Sequence, residues 1–160
     1  MTTGDELRQL MRRYPHGVAV LTVDHDGNRM GVTISSLVSL ALEPPLIGVS
    51  IGHAAACHEL VRRARAFGVS LLGAAQDDYA RRFAAGYPPI VHWQEVETRR
   101  GPAGVAPLLV RAAGWLECRT EAEHLAGDHT FFVASVLSVE PGPEPGALVY
   151  RQHEYHALCQ

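Results

Sequence analysis

The sequence predicts a mainly β domain: a small barrel with flanking helices on its outside. Six or seven segments of strand length are dense in β-branched and aromatic residues, while only three segments carry a helical period. Short runs rich in Gly, Pro, Asp and Asn separate them, and no linker, internal repeat or low-complexity tract divides the chain, so residues 1–160 read as one domain. At 17.4 kDa, with 47% hydrophobic and 19% charged residues, such a domain can bury a substantial core.

The elements follow in order. Thr3 and Glu6 have capping-box spacing, and Leu7, Leu10, Met11 and Tyr14 recur at helical intervals, so an amphipathic helix is expected to end near Pro15. GVAVLTV (17–23) reads as a strand, DHDGN supplies a turn with Asp26-Gly27 at its tip, and RMGVTISSL (29–37) returns as the partner of a hairpin. The EPP triplet (43–45) breaks the chain before a short strand, LIGVSI (46–51). A helix is expected over 54–66, with Cys57, Leu60, Val61 and Ala64 on one face, then a strand, FGVSLL (67–72), and a helix over 75–86 closed by Gly86. From Tyr87 to Leu108 prolines and the lack of a period predict loop. Residues 112–123 and 129–140 read as long strands, the second apolar on both faces and so buried on both sides. LVY (148–150) is the last strand expected.

Bulk properties remove several function classes. The net charge of −3 argues against a surface that works by neutralising phosphates, so no nucleic acid is expected. All fourteen basic residues are Arg, a coding bias in company with plentiful Ala, Gly and Pro. No apolar run approaches the ~18 residues of a spanning helix, and the N-terminus lacks the layout of a signal peptide. Three cysteines without paired spacing give neither a disulfide framework nor a zinc knuckle, so the expectation is a cytoplasmic protein with no membrane association. There is no G-x-G for a Rossmann or P-loop site and no G-x-S-x-G nucleophile turn. His153, His156 and Cys159 sit at a fraying chain end, and no metal site is expected there. Asp128 and His129 are neighbours that a strand would point to opposite faces, which speaks against a relay.

One stretch demands an explanation. In GVTISSL (31–37) three of seven residues carry hydroxyls, and a buried hydroxyl without a partner costs about 1–3 kcal/mol. Thr33, Ser35 and Ser36 must therefore bond either neighbouring strands or a ligand.

YPHGVAVLT (14–22), GVTISSLVSLALEPPLIGVSI (31–51), FGVSLL (67–72), RRFA (81–84) and LECRTEAEHLAGDHTFFVASV (116–136) occur in this order, with a looser match in LVYRQHEYHAL (148–158). The ordered set resembles the flavin reductase-like domain family, FMN-binding split β-barrels that serve as reductase partners of two-component flavin monooxygenases. The resemblance implies an NAD(P)H:flavin oxidoreductase, with FMN or FAD as flavin and NADH or NADPH as hydride donor. It also implies a homodimer and a separate monooxygenase that receives the reduced flavin. Thr33, Ile34, Ser35 and Ser36 would meet the flavin ring, and Ser50, Ile51, Gly52, His53, Ala56 and Cys57 its ribityl phosphate. His129, the catalytic candidate, would lie on the nicotinamide side; its alternative is a turn cap. Arg82 and Phe83 fall where the family's helix approaches the flavin, although Phe83 also fits the core. Tyr150 and Tyr155 would border the dinucleotide, and Trp93 and Trp115 read as core or loop anchors.

The chain departs from the family pattern at Gly52-His53-Ala54-Ala55-Ala56-Cys57, where relatives carry Ser and Thr. Loss of those hydroxyls suits flavin as a passing substrate, with His53 able to compensate if protonated. Two other readings fit the same barrel: a flavin-bound oxidase or hydroxylase acting directly on an organic substrate, and a non-enzymatic flavin- or haem-binding module.

Overall fold

The computed structural model describes residues 2–159. The chain opens with α1 (Gly4–Met11), β1 (His16–Gly17), β2 (Ala19–His25), β3 (Asn28–Ile34), β4 (Val38–Leu42) and β5 (Pro45–Gly52). It continues through α2 (His58–Ala64), β6 (Ala66–Leu71), α3 (Asp77–Ala84), α4 (Pro89–His92), β7 (Thr98–Arg100) and β8 (Pro107–Leu109). Two long strands, β9 (Gly114–Ala126) and β10 (His129–Pro141), precede the short pair β11 (Ala147–Arg151) and β12 (Glu154–Leu158). Seven strands make one antiparallel sheet in the order β3-β2-β6-β9-β10-β5-β4. The two edge strands, β3 and β4, do not pair with each other, so the curled sheet is a split barrel. Among the described residues no helix is long and apolar enough to cross a membrane.

Local chemistry accounts for the elements that position the site. At the β2–β3 tip Asp26 (φ 53°) and Gly27 (φ 77°) both take the left-handed conformation a two-residue hairpin turn requires. β2 is buried on both faces. Leu21 and Val23 enter the barrel core with Val49, Ile51, Phe67, Val69 and Phe132, while Val18 and Val20 meet an outer cluster of Ala80, Phe83, Leu109 and Leu148. α2 plugs the barrel end with Leu60 and Val61, two of the residues its period marks as inward. α3 lies against β3 because Gly31 has no side chain; a Cβ there would come within 2.7 Å of the Phe83 ring.

Several expectations are corrected. Val38–Leu42 is a strand of its own, beyond the turn that ends β3 at Ile34, and residues 87–108 are not plain loop but carry α4, β7 and β8. Pro at the helix start, a helix of only four residues and strands of three leave no measurable period to read. The second helix begins at His58, four residues later than expected, and the third ends at Ala84 with an extended cap at Ala85, so Gly86 does not close it. β12 follows β11 as an unanticipated partner. β10 is buried on one face: Thr130, Phe132 and Ala134 point inward, while Phe131 and Val133 are half-buried and Val139 is 67% exposed. α1 keeps its capping box, with the Thr3 side chain accepting from the Glu6 amide, but Leu7, Leu10 and Met11 all face solvent.

Candidate functional site

The split leaves a trough where the end of β3 faces the ends of β5 and β10. It measures about 340 Å³ and is lined by residues 32–36, by Ser50, Ile51, Gly52 and Ala55, and by His129. Register explains the convergence: His129 pairs with Gly52 and Phe131 with Ser50, so the strand ends meet at one rim. Gly52 lets the His129 ring lie close to β5, since a Cβ there would sit 3.4 Å from the ring Nε2. His129 Nδ1 donates to Asp128 Oδ1 at 2.6 Å, which turns Nε2 toward the trough. The opposite-face placement expected of the two does not hold: Asp128 belongs to the turn before β10, so strand alternation does not apply to it. That hydrogen bond first, and the histidine's charge second, hold the fully exposed Asp128 carboxyl below the usual carboxylate range.

Of the two partners open to the hydroxyls at the end of β3, the protein itself or a ligand, the protein supplies most. Thr33 Oγ1 donates to the Ala80 carbonyl at 2.7 Å and so ties β3 to α3. Ser36 Oγ donates to the Ser50 carbonyl (2.9 Å) and accepts from the Ser50 amide (3.0 Å), taking the place of a strand neighbour where β4 does not reach. Only Ser35 is exposed with no hydrogen-bond partner among the described residues. Ser36→Ala is therefore expected to cost about 1–2 kcal/mol of stability by freeing both Ser50 groups, a loss that thermal unfolding without any flavin will detect.

Beside the trough, but facing the other way, His53 and His58 share one hydroxyl. His53 Nε2 lies 3.2 Å and His58 Nε2 2.8 Å from Thr130 Oγ1, with Arg62 held by Glu123 at the cluster's edge. A hydroxyl has one hydrogen to give and two lone pairs, so at least one of the two rings must donate to it. Burial first, then His53 and Arg62, keep His58 below the ordinary imidazole value of 6.5, outweighing Glu59 and Glu123. His58 is thus neutral where an unfolded histidine takes up a proton. Stability is full above pH about 6.5 and falls as the pH drops toward the folded-state value. Comparing urea midpoints at about pH 7.5 and 5.5 should show this decline, and His58→Asn should flatten it.

The other expected site residues separate. Ala56, Cys57 and Phe83 line a neighbouring depression, with Phe83 only 2% exposed and part of the core. Burial pushes the Cys57 thiol up to about 11. Arg82 turns away to donate to the Gln94 carbonyl in a different depression. Tyr150 and Tyr155 pack on each other, with ring centroids 5.1 Å apart, and on the outer cluster, and line neither depression. Trp115 is buried and Trp93 packs on Phe83, as anchors. Val32 and Ala55 line both depressions; Ala55 lies in the loop the sequence singles out, whereas Val32 carries no chemical signal and escaped it.

Comparison with known proteins agrees with this geometry. The family model described as flavin reductase like domain matches residues 11–158. The NADH-dependent FMN reductase AsuE2 of Streptomyces nodosus subsp. asukaensis is 35% identical over 157 residues, covering 96% of this chain and 84% of that protein. The NADH-dependent FAD reductase of Streptomyces globisporus is 32% identical over 147 residues, 91% of this chain and 80% of that one. Among solved structures, BorF, the flavin reductase component of a bacterial two-component tryptophan halogenase, superposes with a TM-score of 0.90 at 32% identity over 99% of both chains.

Proposed function

Since this chain belongs to the flavin reductase like domain family, we propose that it is an NAD(P)H:flavin oxidoreductase that reduces FMN or FAD and releases it to a separate oxygenase component. The observation that carries the reading is the trough itself, in which hydroxyls, bare backbone at Gly52 and a half-exposed imidazole converge without any acid, nucleophile or metal set. A planar ring fits such a surface, because glycine and short side chains leave it flat. The hydride passes between the two bound ring systems, and that chemistry is theirs.

What the protein contributes is position. Ser36 fixes the β3–β5 junction, Thr33 fixes β3 to α3, and the exposed Ser35 hydroxyl is left to meet the ring edge. Backbone of the Gly52–Cys57 loop takes the place of the Ser and Thr side chains missing there, which leaves few groups to retain the flavin and favours its exchange. His129, oriented by Asp128, presents Nε2 on the side where a nicotinamide stacks. Holding two rings at roughly 3–3.5 Å converts a bimolecular transfer into an effectively unimolecular one.

The reading includes a cytoplasmic homodimer. Leu7, Leu10 and Met11 on α1, Leu42 on β4 (82% exposed) and Val139 on β10 form apolar surface that the single chain leaves uncovered. Light scattering should give twice the monomer mass; a monomer that binds flavin removes the dimer from the proposal. The test of function is oxidation of NADH or NADPH with and without added FMN, FAD or riboflavin. Stimulation by a flavin supports the reading, and its absence with all three refutes it.

A further inference from the structure

The trough adjoins a second depression of about 410 Å³, and the two share Val32 and Ala55. Their linings differ in kind. The first presents Ser and Thr hydroxyls and an imidazole; the second is apolar and aromatic, walled by Met30, Phe83, Tyr87 and His92. His92 is locked there by its Nε2 donating to the Ala85 carbonyl at 2.8 Å, with its ring 5.6 Å from Phe83 and 6.3 Å from Tyr87. No Asp, Glu or Arg lines this compartment. Three successive alanines, Ala54 to Ala56, line this compartment, and Ala55 lines the trough as well.

We infer that the second depression receives the adenosine end of FAD, so that this chain prefers FAD over FMN. The inference rests on the flavin reading of the first trough. An uncharged, planar, stackable group suits the aromatic walls, whereas a phosphate finds no cation and the positively charged oxidised nicotinamide no anion. Adenine meets those requirements. FAD is chosen over the adenine of the nicotinamide donor because the compartment shares Val32 and Ala55 with the flavin trough and is lined by the end of the loop assigned to the flavin's phosphate, while His129 does not line it.

Fluorescence-quenching titrations of the full chain with FAD, FMN and riboflavin, repeated on Tyr87→Ala and Gly86→Leu, decide the matter. Tyr87 is 57% exposed, so its truncation spares the core; a Cβ on Gly86 meets nothing within 4 Å, so the larger residue can fill the compartment without strain. The expected result is FAD bound about tenfold or more tighter than FMN, the size of one base–aromatic stack, with both variants collapsing that ratio through FAD alone. Equal affinities in the unaltered chain overturn the inference while leaving the reductase reading intact. So does a variant that weakens FMN as much as FAD, and so does one that instead raises KM for NADH at saturating FMN. Failure of all three flavins to bind the unaltered chain sinks the reductase reading, and this inference with it.

Discussion

Replacing His129 with alanine is expected to lower kcat/KM for the reduced nicotinamide donor by about 10- to 100-fold while flavin affinity changes by about twofold or less. The side chain sits at the rim of the trough, paired with Gly52 across β5 and β10 and 46% exposed, so its loss opens no core cavity. What disappears is a ring and an Nε2 held in one orientation by the 2.6 Å bond to Asp128. If the role is to place the nicotinamide, the loss falls mainly on KM for the donor, and His129→Gln, which keeps a polar end of similar reach, recovers part of it. Asp128→Asn should cost about threefold, because an exposed pair orients only weakly. Steady-state kinetics over a range of donor concentrations at saturating flavin makes the separation. An unchanged donor KM in His129→Ala would reduce the residue to a turn cap.

Glu117→Ala is expected to be the most destabilising single change in the chain, at about 3–5 kcal/mol. Glu117 is fully buried on β9 and accepts from the Ala103 amide (2.7 Å), the Val105 amide (3.0 Å) and the Ser138 hydroxyl (2.7 Å). The carboxylate is the partner on which the connection between β7 and β8 folds; a Cβ on Gly101 would overlap it. Truncation leaves three partly buried donors without their acceptor, plus a cavity where the buried Glu117 side chain was. For a domain of this size the loss corresponds to a Tm lowered by about 6–20 °C, readable by calorimetry. Glu117→Gln should cost less, since one amide oxygen still accepts, while its NH2 group faces a donor. A Tm within about 2 °C of the parent in Glu117→Ala would show that water replaces the carboxylate.

Glu117 also illustrates the limit of sequence reading. Within WLECRTEAE its pattern is that of any polar residue on a strand, and nothing local shows that a loop more than ten residues away closes over it. The same limit applies to the hydroxyls of β3. Residues 33–36 line the trough, and their type and spacing left open whether the protein or a ligand receives the hydroxyls; packing gives Thr33 and Ser36 the backbones of Ala80 and Ser50 as partners. Arg82 and the tyrosine pair rest on resemblance at a helix and a tail, but the direction of a side chain depends on packing: Arg82 reaches the Gln94 carbonyl and the two tyrosines pack on each other. Val32, which lines both depressions, carries no chemistry that a sequence could announce.

The sequence alone determined the strand-rich barrel, its first hairpin with Asp26-Gly27 at the tip, the buried face of α2, and membership of the flavin reductase like domain family. These rest on periodicity, turn chemistry and ordered motifs, all written along the chain. Tertiary structure decided which strands form the edges, that β10 keeps one face uncovered, that Asp128 reaches His129, and where two depressions adjoin. Each of these is a relation between segments far apart in sequence or around a turn, set by register and close packing, and a local pattern does not encode it.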